Sequence, residues 1–145
     1  MEDKASRAYR RLRLRSNKLG ISMEVTASEI RLLLNVFDGC CAYCSKRPEK
    51  ARNLHLDHLV AISEGGRNTL ANLIPACNSC NSKKGTKPVV THFLANKVPD
   101  ENMALVIDYI ALLSGSKKEV VASEMTDDHI AYLRKQLVEE DEKAT

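Results

Sequence analysis

Two Cys-x-x-Cys pairs, Cys41-Ala42-Tyr43-Cys44 and Cys77-Asn78-Ser79-Cys80, bracket the stretch His55-Leu56-Asp57-His58 and Asn72, and Asn81 follows the second pair directly. Each pair can present two thiolates to one side of an ion while backbone N–H groups bond the sulfurs. Two such turns complete the tetrahedral shell that zinc takes, with sulfur about 2.3 Å from the metal. The segment between the pairs is long enough to form a hairpin and return to the same ion. A shell of four thiolates leaves no open position, so this zinc would be structural, its binding energy serving folding. A redox dithiol and four unrelated buried thiols are the competing readings. Cys40, the fifth cysteine, reads as a small hydrophobe, with a ligand swap with Cys41 as the alternative. The remaining polar residues offer other chemistry. An imidazole can act as a general base, and two oxygen-bearing side chains can hold a second, harder metal.

These residues need elements to position them. Residues 5–19 carry Ala5, Ala8, Tyr9, Leu12 and Leu19 near one helical face, with arginines around the rest; Gly20 and Ile21 then read as a C-terminal stop with its hydrophobic contact. Thr26-Ala27-Ser28-Glu29 is a capping box that opens a second helix, with Ile30, Leu33, Leu34 and Phe37 at core spacing and a stop at Gly39. Residues 54–60 alternate apolar and polar as a half-buried strand does. Gly65-Gly66 marks a loop over residues 63–69, Leu73-Ile74 a second strand, and residues 78–84 a helix ending near Gly85. The order is strand, loop, strand, helix, with a cysteine knuckle on either side. Beyond Pro99, Asp100 is expected to cap a helix bearing Met103, Val106, Ile107, Ile110 and Leu113 and closed by Gly115. Thr126 or Asp127 is expected to cap another, with Ile130, Leu133, Leu137 and Val138 on its apolar face. A packed helical cap and an oligomerisation face are the two readings of this pair.

The chain has 145 residues, 43% of them hydrophobic and only 4% aromatic, which suits one soluble domain whose core rests on Leu, Ile and Val. The first residues are arginine-rich without an apolar run, and no stretch approaches the roughly 18–20 apolar residues of a membrane span. A cytoplasmic setting is the expectation, and there paired Cys-x-x-Cys motifs favour metal over disulfides. The net charge of +3 is unevenly spread. Residues 1–18 carry seven basic side chains (Lys4, Arg7, Arg10, Arg11, Arg13, Arg15, Lys18) against Glu2 and Asp3, and residues 40–97 carry nine basic against three acidic. Residues 119–145 reverse this, with eight acidic against three basic. Basic charge on the arm and the cysteine region suits a polyanion such as nucleic acid, and the acidic tail suits solvent or a partner.

From Cys41 to Gly85 the chain resembles the HNH (ββα-metal) endonucleases, in the branch that carries a four-cysteine zinc site. The resemblance rests on Cys-Ala-Tyr-Cys, His-Leu-Asp-His-Leu-Val, Gly-Gly-Arg-Asn-Thr-Leu-Ala-Asn-Leu-Ile-Pro-Ala and Cys-Asn-Ser-Cys-Asn-Ser-Lys-Lys-Gly, in that order. The lead-in before Cys41 is similar to that of phage and prophage members. The resemblance implies an α+β fold: a small ββα-metal (His-Me finger) core with a structural zinc knuckle pair, flanked by N-terminal and C-terminal helices. It divides the chain into a basic helical arm over residues 1–39, a nuclease core over 40–97 and a helical cap over 98–145, together one domain. It implies that His58 is the general base that deprotonates water, and that Asp57 and Asn81 hold a catalytic Mg²⁺ or Mn²⁺. Cys41, Cys44, Cys77 and Cys80 would hold the structural zinc. Asn72 would brace the loop and orient His58, and His55 would be either catalytic or structural. Many members have His where this chain has Asn81, which bears on metal preference more than on activity.

The activity so implied is metal-dependent hydrolysis of DNA phosphodiesters, nicking double-stranded DNA to 5′-phosphate and 3′-hydroxyl ends. A structure-selective junction resolvase acting on branched DNA is a variant of it, and a monomer or a homodimer is compatible with it. Arg67, Lys83 and Lys84 flank the site and could hold phosphates or form a solvated face. Arg7, Arg10, Arg11, Arg13 and Arg15 could track a DNA backbone, giving affinity and salt dependence rather than sequence choice. His92 and His129 fall outside the motif and read as surface or packing residues. A zinc-ribbon module that binds nucleic acid without cutting it would account for the cysteines and arginines but not for Asp57, His58 and Asn81. A redox or scaffold protein would need neither the Asp-His pair nor the arginines.

Overall fold

The computed structural model describes residues 3–145; Met1 and Glu2 lie outside the described residues. Helix α1 (Lys4–Leu19) begins where the Asp3 carboxylate accepts the Ser6 N–H at 2.7 Å and buries Ala5, Ala8, Leu12 and Ser16. Leu19, expected on that face, is exposed, and the small polar Ser16 takes the buried position one turn after Leu12. The helix ends at Gly20, whose φ of 68° lets the Ile21 N–H turn back to Ser16 O at 2.9 Å.

A two-residue strand β1 (Met23–Glu24) leads to α2 (Ala27–Val36), which opens on the expected capping box between Thr26 and Glu29 and buries Ile30 and Leu33 completely. The chain then crosses the first knuckle and enters β2 (Leu54–His58). A loop, the short β3 (Asn68–Thr69) and a single 3₁₀ turn bring it to β4 (Leu73–Cys77). Strands β2 and β4 pair antiparallel, with Asp57 opposite Ile74 and His58 opposite Leu73, while β3 pairs parallel with β1. Pro75 is tolerated in β4 because each strand of a two-stranded sheet has an unpaired edge. Its carbonyl accepts the Ala42 N–H at 2.8 Å and so fastens the first knuckle to the strand.

Helix α3 (Asn78–Lys84) starts at Cys77 and packs on both β2 and β4, completing a strand–strand–helix unit. The remaining chain is helical: α4 (Val89–Ala95), α5 (Asp100–Ser114) and α6 (Lys118–Ala144). The fold class is α+β, as expected. One cluster of buried apolar side chains runs from Ala5 in α1 through Ile30, Tyr43, Leu73, Phe93 and Val106 to Met125 in α6.

Three details differ from the sequence reading. Helix α4 was not anticipated; Pro88 fixes the backbone at its start, and Val89, Thr91, His92 and Phe93 bury one side of it. Asp100 is not the cap of α5 but its first helical residue, where it and Glu101 complement the helix dipole without a capping bond. Thr126 and Asp127 cap nothing, because α6 is one 27-residue helix that begins at Lys118. The Thr126 hydroxyl donates back to Ala122 O at 2.8 Å, so a residue that favours caps is satisfied in mid-helix. Only Val121 and Met125 of α6 are buried; Ile130, Leu133, Leu137 and Val138 are 40–62% exposed.

Candidate active site

The four cysteines meet as the spacing predicts. The Sγ atoms of Cys41, Cys44, Cys77 and Cys80 all lie within 4.8 Å of one another, the one cluster of three or more metal-ligating His, Cys, Asp or Glu side chains among the described residues. All are free thiols, and Cys44 Sγ stands 3.8 Å from Cys77 Sγ. That is far beyond a disulfide and equal to the edge of a tetrahedron with zinc–sulfur bonds of about 2.3 Å. The arrangement is therefore consistent with a zinc site. Burial raises the Cys41 thiol to about 11, and burial with the neighbouring sulfurs pushes Cys80 up further. Against its own burial, bonds from Cys80, Cys44 and Cys41 lower the Cys77 thiol instead, so the cluster already favours one thiolate. The Cys80 N–H points at Cys77 Sγ from 3.4 Å, the donor that a knuckle supplies to its sulfur. Cys40 stays outside the cluster, half-buried, with its thiol directed at Asp38 O.

His58 closes β2, and its ring faces α1 and β3 rather than the knuckles. Its Nε2 lies 2.8 Å from Asn68 Oδ1, and Asn68 is fully buried. The Asn68 amide nitrogen donates to Ser22 O at 3.1 Å and to Ser16 Oγ at 2.8 Å, and Ser16 Oγ in turn donates to Leu12 O at 2.7 Å. A carbonyl only accepts, so the Asn68 nitrogen must face Ser22, and its oxygen must face His58. Nε2 of His58 therefore carries the proton, and Nδ1 of the neutral ring keeps its lone pair. Burial lowers the His58 pKa, opposed by the Asn68 bond and the Asp57 charge and assisted by the charge of Arg15. The neutral form needed in a base is favoured.

Asp57 lies beside it in sequence and in a different setting. Its Oδ2 accepts the Tyr43 hydroxyl at 2.6 Å, and its Oδ1 is 3.4 Å from Lys84 Nζ. Lys84 is completely buried, and its ammonium donates at 2.8 Å to the carbonyl of His58. Burial pushes the Asp57 carboxyl up and the Lys84 ammonium down, each opposed by the other's charge. Tyr43 is held from behind by His92, ring centroids 4.5 Å apart, and by Phe93. His92 is a packing residue but not a surface one; burial lowers its pKa to about 4, and Asn96 donates to its Nδ1 at 3.0 Å. Asn81 lies one turn before Lys84 on α3, half-buried, its side chain without a hydrogen bond among the described residues.

Asn72 bonds across the loop but does not reach the His58 ring. Its Oδ1 accepts the Val60 N–H at 2.9 Å, and its amide donates to Val60 O and Arg67 O at 3.0 and 2.9 Å. The loop it closes requires Gly66, since a Cβ there would stand 1.8 Å from Val60 O. The orientation expected of Asn72 belongs to Asn68, which the sequence reading passed over as a loop residue. Tyr43, between the cysteines of the first knuckle, is the other contact that the motif does not name. An asparagine two residues after a Gly-Gly turn, and an aromatic residue inside a cysteine knuckle, were the available signals. His55 lies half-buried beside Arg11, its pKa lowered by burial and by that charge, and shares no hydrogen bond with Asp57 or His58.

The basic residues divide. The Lys84 ammonium is enclosed, so the surface phosphate contact expected of it is not open to it. Arg11 is committed to the backbone, donating to Arg52 O and Leu54 O at 2.8 and 2.9 Å, which pins α1 to the start of β2. Arg67 forms a two-pronged ion pair with Glu24 on the surface. Arg10, Arg13, Arg15 and Lys83 are exposed, and Arg7 is half-buried.

The arrangement sets an imidazole and a carboxylate side by side at the end of β2, with the basic helix α1 tied along the strand and Asn81 on the neighbouring α3. Residues 41–87 match the family model of the HNH endonucleases, about a third of the chain. No curated protein matches the chain. No helix among the described residues is long and apolar enough to cross a membrane.

Proposed function

We propose that the protein is a metal-dependent DNA endonuclease in which His58 is the general base. The observation that carries this reading is the His58–Asn68–Ser16 chain of hydrogen bonds, which holds the ring as the Nε2–H tautomer inside a segment matching a nuclease family. Nδ1 takes the proton of the attacking water, the water oxygen bonds to phosphorus, and the bond to the 3′ oxygen breaks. The leaving oxygen gains a proton from solvent, and His58 later returns its own to solvent.

Asp57 and Asn81 are the residues that would hold a hard divalent cation such as Mg²⁺ or Mn²⁺, and their chemistry fits one. Both offer oxygen, and Asp57 Oδ1 has only the Lys84 contact at 3.4 Å, longer than the roughly 2.7–2.9 Å of a full charge-assisted bond. When bound, the cation would stabilise negative charge on the phosphate and the leaving oxygen. One carboxylate and one neutral amide form a weak donor set, so the DNA phosphate is expected to complete it. The four cysteines would hold a structural zinc.

Double-stranded DNA is the proposed substrate, nicked one strand per site, with the exposed arginines of α1 and Lys83 on its phosphates. A second reading draws on the enclosure of Asp57 by Tyr43 and Lys84: a zinc-bound module that grips nucleic acid without cutting it. Supercoiled plasmid and a four-way junction, each incubated with wild type or His58→Ala in Mg²⁺, Mn²⁺ or EDTA, separate the readings. Cleavage by wild type alone, lost in EDTA, is the expected result. Binding with no cleavage under any metal would leave the non-cutting module.

A further inference from the structure

We infer that Arg15 is a catalytic residue, its guanidinium gripping the non-bridging oxygens of the scissile phosphate beside His58. The inference rests on the nuclease reading and deepens it, since it separates one arginine from a helix otherwise expected to track the DNA backbone.

The geometry begins with how α1 is fixed to β2. Arg11 donates to the carbonyls of Arg52 and Leu54 at the beginning of the strand, and Ser16 reaches the end of it through Asn68. These two ties lie five residues apart on α1, so the helix cannot slide or roll against the strand. Arg15 directly precedes Ser16, and the bond chain from Ser16 ends on the His58 ring. Ser16 is buried, while Arg15 is exposed with no hydrogen bond or ion pair to any described residue. A guanidinium so placed has its fork of donors available for a planar pair of phosphate oxygens. Arg15 also lies one turn beyond Arg11, whose guanidinium reaches the β2 backbone, and so on the flank of α1 nearest that strand. Arg15 would therefore offset the extra negative charge that gathers on phosphate during attack.

The same helix supplies its own control. Arg13 is also exposed and without a partner among the described residues, but it lies two residues away, a separation that points to a different side of a helix. Arg13 would contribute to affinity alone. Asp57 and Asn81 lie toward α3, so Arg15 would meet the phosphate from the α1 side.

Wild type, Arg15→Ala, Arg15→Lys and Arg13→Ala are compared as full chains, each checked for zinc content and thermal melting. Single-turnover cleavage of plasmid is measured with protein in excess and DNA saturated, and affinity is measured separately in EDTA at several salt concentrations. Arg15→Ala is expected to cut about 100-fold more slowly at saturation, the loss typical of one donor to developing charge. Arg15→Lys is expected to recover part of the rate, and added methylguanidinium to rescue Arg15→Ala. Arg13→Ala should keep the saturated rate and lose affinity with a shallower salt slope. A saturated rate in Arg15→Ala equal to wild type, or a loss shared equally by Arg13→Ala, overturns the catalytic role and leaves Arg15 a backbone contact. Wild type that binds but never cuts removes the nuclease reading and this inference with it.

Discussion

Asp57 and His58 are consecutive residues of one strand, and the structure supports them from opposite directions. Asp57 depends on the knuckle segment: Tyr43, which donates to it, sits between Cys41 and Cys44, and Lys84 lies on the helix that Cys77 begins. His58 depends on residues outside that segment, through Asn68 to Ser16 of α1 and the carbonyl of Ser22. A strand sends successive side chains to opposite faces, so a dipeptide can belong to two supporting systems. The carboxylate is tied to the four-cysteine cluster and the imidazole to the N-terminal helix. The family match over residues 41–87 covers the first system and omits the residues of α1 on which the second depends.

The strongest way to break this division is to remove the metal knuckle. Cys77→Ala is expected to unfold the β2–β4–α3 unit outright, because structural zinc contributes on the order of 10 kcal/mol in small domains. Circular dichroism and zinc content check it; a folded, zinc-free protein would mean that the apolar core suffices and that Asp57 does not depend on the knuckle.

Next comes the other support. Asn68→Ala removes three hydrogen bonds from a fully buried site and leaves Ser22 O and the His58 ring without that partner. A stability loss of about 2–3 kcal/mol is expected by denaturant titration. The saturated cleavage rate should fall about tenfold to 100-fold, since the ring loses its fixed tautomer. The acid limb of the wild-type pH–rate profile should lie below the ordinary histidine range, because burial lowers the His58 pKa and the neutral form is the active one. A normal profile and rate in Asn68→Ala would detach the base from α1.

How far these supports were legible follows from their chemistry. The knuckles and the capping box at Thr26 are local patterns, and each formed where the spacing put it, whereas the alternating strand read over residues 54–60 ends at His58 and buries both Asp57 and His58. Asn68 and Ser16 are 52 residues apart, and no local period relates them. Lys84 looked like a surface cation because lysine usually is one; only the packing of α3 on β2 encloses it. The apolar residues of α6 were read as either packed in a cap or an association face, and their exposure leaves them unpacked within the chain. A 3.6-residue repeat states that a face exists, not that another element covers it.

Tyr43→Phe tests the Asp57 side more gently. It keeps the ring that meets His92 edge-on and deletes only the hydroxyl, leaving buried Oδ2 without its donor. About 1–3 kcal/mol of stability should be lost, with zinc retained. Cleavage should become more sensitive to Mg²⁺ concentration, because the carboxylate is no longer held.

The smallest effect belongs to α6. Leu137 is 62% exposed, and no part of α6 beyond Met125 is buried. Leu137→Ser should therefore change stability by no more than about 0.5 kcal/mol, as surface substitutions do, and leave cleavage and zinc untouched. That outcome would mark the distal half of α6 as independent of both supports of β2. A concentration-dependent loss of melting temperature in the variant would instead mean that another copy of the chain covers this face, and that association through the distal half of α6 stabilises the fold by mass action.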